Sequence, residues 1–165
     1  MQQGEKQPLT PQAVRDRLLK MLQRREHSAA ELRDKLARRA RFDPDDFDTA
    51  MAYLQEAGLQ SDARCAEWCL HRVCTRGSGP LKLQRELSVR RLDEALLGGQ
   101  LHEVDWNALA LRALQRRFGE QRPDSARVWQ RQYRFLAGRG FLPEQIQSAL
   151  REPPEGEADA GHSPD

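Results

Sequence analysis

Apolar residues recur along this chain at helical spacing, interrupted at short intervals by capping and breaking residues. Val14, Leu18 and Leu22 lie four apart behind Thr10-Pro11, so Thr10 is placed to cap a first helix and Pro11 to occupy its first turn. Ser28 and Glu31 form a capping-box pattern ahead of a second helix whose apolar face is Leu32, Leu36 and Ala40. Asp43-Pro44 opens a third. There Asp45, Asp46 and Asp48 put negative charge at the positive end of the helix dipole, Phe47, Met51 and Leu54 point inward, and Gly58 ends the run.

The same grammar continues downstream. Asp62 opens a helix carrying Cys65, Cys69 and Val73 inward, and Gly77-Ser78-Gly79-Pro80 stops it and starts another with Leu83 and Leu87. A short helix with Leu92 and Leu96 inward follows, then a break at Gly98-Gly99. Asp105 caps a helix with Trp106, Leu109, Ala113 and Phe118, Asp124 caps one with Val128, Trp129, Phe135 and Leu136, and Pro143 begins the last, with Ile146 and Leu150. Nine helices in three groups of three are predicted. Leu36, Phe42, Phe47 and Met51 are separated by 6, 5 and 4 residues, as are Phe135, Phe141, Ile146 and Leu150, and Leu87, Leu92 and Leu96 give a shortened version between them. A tandem repeat of roughly 50 residues accounts for the series.

Composition narrows the fold class to all-α. Leu (22) and Ala (19) far outnumber Val (5), Ile (1) and Thr (3), the β-branched residues that a sheet prefers. Leu, Ile, Val and Phe make only 33 of the 165 residues, so a thin core is expected, and the repeat accommodates it because small modules need less central core than one compact bundle. No apolar run approaches the ~20 residues that span a bilayer, and Met1 to Pro8 lack a secretory pattern, so no membrane association and a cytoplasmic location are expected. Cys65, Cys69 and Cys74 read as buried reduced thiols, without the ligand set that would complete a metal site. No cofactor is expected, and His27, His71, His102 and His162 sit in no catalytic constellation, so the chain is not read as an enzyme.

The most specific motif is Gly77-x-Gly79-Pro80-x-Lys82-Leu83-x-x-Glu86-Leu87. Together with Arg25-Glu26-His27-Ser28, Glu31-Leu32, Lys35-Leu36, Asp62-Ala63-Arg64 and Phe135-Leu136-x-x-Arg139-Gly140-Phe141, it makes residues 12 to 150 resemble the RecX family, bacterial regulators of the RecA recombinase. The resemblance implies three tandem three-helix modules in an elongated, curved arrangement, here 10–60, 61–103 and 104–151; the two ends fall outside it, and a disordered N-terminus (1–9) and a disordered acidic, Pro- and Gly-rich tail (152–165) are expected. It further implies a non-catalytic partner of RecA and of RecA filaments on single-stranded DNA, which it typically inhibits; a monomer with weak direct DNA contact is expected. Where the family's second block often continues with an aromatic, this chain has Cys65, and Trp68 is expected to fill that volume. The turn at Gly140 has counterparts at Arg41 and Arg91, where a left-handed backbone would cost roughly 1 kcal/mol relative to Gly; those turns are therefore expected to differ.

Charge supplies the candidate binding residues. The net +2 divides into an acidic segment after residue 151 and a body carrying 27 cations against 20 acids. Arg127, Arg131 and Arg134 form one stripe at i, i+4 and i+7, in a stretch from Ser125 to Leu142 that has no acid and also holds Arg139. Arg112, Arg116 and Arg117 extend the positive field from the preceding helix, and Arg72, Arg76, Lys82 and Arg85 continue it upstream. These residues are predicted to meet an acidic partner, either phosphates or carboxylates. Asp34 with Arg38 and Glu86 with Arg90 read instead as surface pairs one turn apart. Trp129 and Tyr133 are expected to pack inward. Helix-turn-helix recognition of duplex DNA is the alternative. It is disfavoured because the third helices carry Asp45, Asp46, Asp48, Glu56, Asp93, Glu94 and Glu144 where a groove would require cations.

Overall fold

The structure is a computed structural model that describes residues 7–150, and the chain is all-helical across them. The helices are α1 (Pro11–Leu22), α2 (Ala29–Ala37), α3 (Pro44–Glu56), α4 (Asp62–Thr75), α5 (Pro80–Val89), a 3-10 segment Glu94–Leu101, α6 (Trp106–Phe118), α7 (Ala126–Gly138) and α8 (Pro143–Leu150). The expected acidic tail lies outside the described residues, as does most of the expected disordered N-terminus. Leu9, at the end of that N-terminal stretch, is instead anchored: it donates its N–H to Arg41 O at 2.8 Å and packs against the first core.

Short side chains fix where most helices begin. Thr10 Oγ1 accepts from Ala13 N, Ser28 Oγ from Glu31 N, Asp43 Oδ1 from Asp45 N and Asp105 Oδ1 from Ala108 N, each satisfying an amide that the helix itself leaves open. One start differs from the sequence reading: Ser125, not Asp124, caps α7 by accepting from Val128 N. The fourth helix opens at Asp62 as read, with Ser61 Oγ accepting from Arg64 N ahead of it. The Asp62 carboxylate is thereby freed to accept from Ala29 N and from Gln60 Nε2, which ties the start of α4 to the start of α2.

Helix ends are as regular. After α3, α4, α5 and α7 the chain makes the same pair of turns, the N–H two residues past the cap reaching back to the third-last carbonyl: Leu59 to Leu54, Ser78 to Val73, Leu92 to Leu87 and Phe141 to Leu136. Such a stop needs a left-handed residue, and Gly58, Gly77, Arg91 and Gly140 hold φ of 69°, 65°, 52° and 85°. Arg91 thus adopts the left-handed backbone that disfavours a side chain, contrary to expectation, whereas Arg41 does not. The Arg91 guanidinium donates to Asp34 at 2.6 Å, which offsets part of the strain and takes Asp34 away from the expected pairing with Arg38.

The described residues pack as two units, 7–69 with 86–98 and 70–85 with 99–150. In the first, α1, α2 and α3 bury Val14, Leu18, Leu32, Leu36, Phe47, Ala50, Met51 and Leu54 against one another. In the second, α6, α7 and α8 bury Leu109, Ala110, Leu114, Leu136, Phe141, Ile146, Ala149 and Leu150, with Trp129 and Tyr133 stacked at 5.3 Å along its edge. The segment 61–103 is divided between the units. Leu92 and Leu97 are its buried leucines after α5, not Leu96, because the 3-10 segment has three residues per turn and crosses Gly98 at φ 53°.

A polar cluster holds the start of α2 in the first unit. Glu31 pairs with Arg25, with Lys35 at 3.4 Å and with Arg90 at 3.8 Å, and Arg90 pairs with Glu86 at 3.4 Å. Arg90 is buried, so the predicted Glu86–Arg90 pair forms in the interior rather than on the surface. Trp68 is half-buried, with the guanidinium groups of Arg25 and Arg90 5.4 and 5.5 Å from its ring centroid. His27 is buried: its Nδ1 donates to Arg25 O at 3.0 Å and its Nε2 accepts from Lys35 Nζ at 2.9 Å. Burial holds the His27 pKa below 6.5. Burial would raise the Glu31 carboxyl, but the hydrogen bond and charge of Arg25, aided by Lys35, bring it down to about 2.

Candidate functional site

The two units differ sharply in charge. The first holds 13 Lys and Arg against 14 Asp and Glu, a net of −1, and the second 12 against 5, a net of +7. A net of +7 attracts anions, and five of the second unit's cations line one cavity.

That cavity measures about 300 Å³ and is lined by the end of α4, one face of α6 and the end of α7. Gly77, by its left-handed turn, lets the chain leave α4 directly beside α6: a Cβ built on it would stand 3.6 Å from Ala113 Cβ. Arg76 precedes it. Arg112 and Arg116, one turn apart on α6, and neighbouring Arg117 supply three further guanidinium groups, and Arg139 supplies the fifth from the end of α7. No Asp or Glu among the described residues lines the space. Cys74 and Phe135 form apolar wall; burial raises the Cys74 thiol above its ordinary range against the lowering effect of Arg112.

Several of these side chains are preset. Arg139 is half-buried, donates from Nη1 to Arg76 O at 2.8 Å, and lies 5.2 Å from the Phe135 ring centroid. Phe118 meets Phe135 edge to face at 5.3 Å, and Arg117 and Arg131 stand 5.4 and 5.5 Å from the Phe118 ring centroid. Guanidinium groups held by carbonyl and ring contacts lose less freedom on binding, and their planar forks match the oxygens of carboxylate or phosphate. Phe135 in the cavity wall and Phe118 behind it are residues that the charge pattern does not indicate. What marks them in sequence is their position beside Arg117 and four before Arg139.

Of the residues picked from sequence, Arg76, Arg112, Arg116, Arg117 and Arg139 meet at the cavity, whereas Arg131 stands over Phe118, whose ring packs on Phe135 of the cavity wall. Arg127 and Arg134 are exposed on α7 outside it, and Arg85 is exposed on α5. Arg72 is half-buried. Lys82 serves packing instead, because its Cγ and backbone N lie 2.7 and 2.9 Å from where a Cβ on Gly140 would stand. Gly79 meets the same turn still more closely, its missing Cβ 2.4 Å from Gly140 O, and Gly79 N and Leu81 N donate to Arg139 O and Gly140 O at 2.9 and 3.0 Å. The Gly-x-Gly-Pro-x-Lys motif thus has a physical content. One glycine ends α4, the other admits the α7–α8 turn, and the contact fixes the end of α7 from which Arg139 projects.

Residues 14–54 match the family model for the first three-helix domain of RecX, and residues 103–150 that for the third. The chain is 39% identical over 140 residues to the regulatory protein RecX of Halorhodospira halophila, covering 84% of this chain and 86% of that one. It is 41% identical over 140 residues to the protein of the same name from Pseudomonas entomophila, covering 83% and 89%. The crystal structure of RecX from Lactobacillus salivarius superposes with a TM-score of 0.68 at 18% identity, over 86% of this chain and 94% of that one, a likeness of fold.

Proposed function

The chain belongs to the RecX family, whose curated members are regulatory proteins, and from that premise we propose that it binds RecA and RecA filaments on single-stranded DNA and restrains their recombinase, ATPase and coprotease activities. It does so as a monomeric, non-catalytic protein of the cytoplasm, in DNA repair and the SOS response, with 10–60, 61–103 and 104–151 as its modules. The observation that carries the reading is the cavity of five guanidinium groups in a unit of net charge +7. A filament on DNA presents carboxylates and phosphates along a continuous groove, and a unit of this charge is drawn into such a groove and held there by forked pairs. Occupying the groove hinders strand exchange without any chemistry by the regulator. Phosphates within reach add weak direct contact to DNA.

The decisive experiment is RecA-dependent ATP hydrolysis on single-stranded DNA with the chain added from substoichiometric to equimolar amounts. Hydrolysis is expected to fall as the chain is added; an unchanged rate at equimolar protein would overturn the assignment.

A further inference from the structure

The first unit contains a second cavity, about 280 Å³, lined by Arg17, Lys20, Met21, Arg24, Leu36 and Arg39. What sets it apart is how this unit treats its other cations. Arg25, Arg33, Lys35, Arg64, Arg90 and Arg91 are ion-paired, Arg15 lies 5.0 Å from the Tyr53 ring centroid, and Arg41 engages a neighbour as well. Among the described residues Arg17, Lys20, Arg24 and Arg39 have no such side-chain partner, and all four are exposed around one opening. Arg38 is the remaining unpaired cation among the unit's described residues and stands outside the opening. In a unit with as many acids as cations, four unpaired positive charges gathered at one apolar hollow mark a surface that an anionic group completes.

The lining also indicates which kind of anion. The floor is the half-buried Met21 and the buried Leu36, with no aromatic ring on which a base could stack. The surrounding unit is net −1, and α3 displays Asp45, Asp46 and Asp48, which repel an extended polyanion. A local patch of Arg and Lys around a flexible thioether instead suits a protein surface, in which an apolar side chain enters and carboxylates meet the rim. We propose that this cavity is a docking site for an acidic protein segment that presents one apolar side chain between carboxylates, separate in chemistry from the arginine cavity of the second unit.

The test uses the full chain labelled with nitrogen-15 and a synthetic peptide in which one leucine is flanked by short runs of aspartate. Amide shifts are expected at Arg17, Lys20, Met21, Arg24 and Arg39, and the affinity should fall roughly tenfold, about 1.4 kcal/mol, in Arg17→Glu/Arg24→Glu. A peptide with serine in place of the leucine should also bind more weakly. Arg39→Glu, which leaves α1 untouched, should weaken binding in the same direction, and circular dichroism checks that each variant retains its helices. The absence of shifts at these residues, unchanged binding by the charge-reversed variants, or larger shifts there with an oligothymidylate than with the peptide would each overturn the proposal. None of these readouts depends on RecA, so the outcome is independent of the ATPase measurement.

Discussion

At the scale of single residues, the strongest constraints are places where a side chain is absent or where a charge is enclosed. Gly79→Ala would drive a Cβ into the backbone of Gly140, which no rotamer change relieves, so a loss of about 2–4 kcal/mol is expected in urea unfolding monitored by circular dichroism. Arg91→Gly should act oppositely, removing left-handed strain of about 1 kcal/mol while losing an exposed ion pair with Asp34 worth less. Acid should unfold the first unit in two stages. His27 is held neutral below its unfolded pKa of 6.5, so its contribution is complete above that value and declines as pH falls through it. Glu31, at about 2 when folded and 4.5 otherwise, contributes fully above pH 4.5 and is lost between there and about 2. Urea midpoints measured against pH should be flat above about 7 and fall in both ranges, and Glu31→Gln should abolish the lower stage while lowering stability at neutral pH by about 2 kcal/mol.

At the scale of elements, a helix here is specified mostly by its ends. Ser28 Oγ accepts from Glu31 N and donates to Arg90 O at 2.7 Å, so one hydroxyl both starts α2 and ties it to the end of α5. Ser28→Ala should therefore cost about 2 kcal/mol in the same unfolding measurement, more than a cap alone. Such ends are legible in sequence because Ser, Asp, Pro and Gly act locally: Thr10, Ser28, Asp43, Asp105 and Gly58 all do what their types and positions imply. The misreadings share another cause. Ser125 takes the place of Asp124, and Leu97 that of Leu96, where two candidates stand side by side and packing elsewhere in the fold decides between them. The stripe on α7 is visible as i, i+4, i+7, but none of its three arginines lines the cavity, which takes Phe135 and Arg139 from this part of the chain. Its other walls come from α4 and α6, a convergence that no single helix's periodicity encodes. Arg17 and Lys20 on α1 and Arg24 just past its end have an equally plain spacing, and their significance emerges only when the ion pairs of their neighbours are known. For α7, Arg127→Glu/Arg131→Glu/Arg134→Glu is expected to abolish the proposed inhibition of RecA while leaving the helical circular dichroism intact. Unchanged inhibition would remove this stripe from the binding surface.

At the scale of the whole molecule, a net charge of +2 conceals one unit near neutrality and another at +7. Association through the second unit should weaken with salt as the logarithm of concentration, by about 0.7 per phosphate engaged on a single strand. A direct titration against an oligothymidylate should give a slope of about −2 to −4 if roughly three to five phosphates are engaged. Arg112→Gln/Arg116→Gln should make that slope shallower by roughly one or more; an unaltered slope would place the phosphate contacts away from α6. The joint between the α4–α5 and α7–α8 loops carries a different kind of consequence. Gly79 in the loop and Leu81 in the first turn of α5 give their amides to Arg139 and Gly140 across about 60 residues of sequence, at positions where amides without a partner in their own helix ordinarily trade hydrogen for deuterium as fast as the solvent allows. Those two amides should exchange only when the second unit opens as a whole, which makes them a built-in gauge of that unit's global stability.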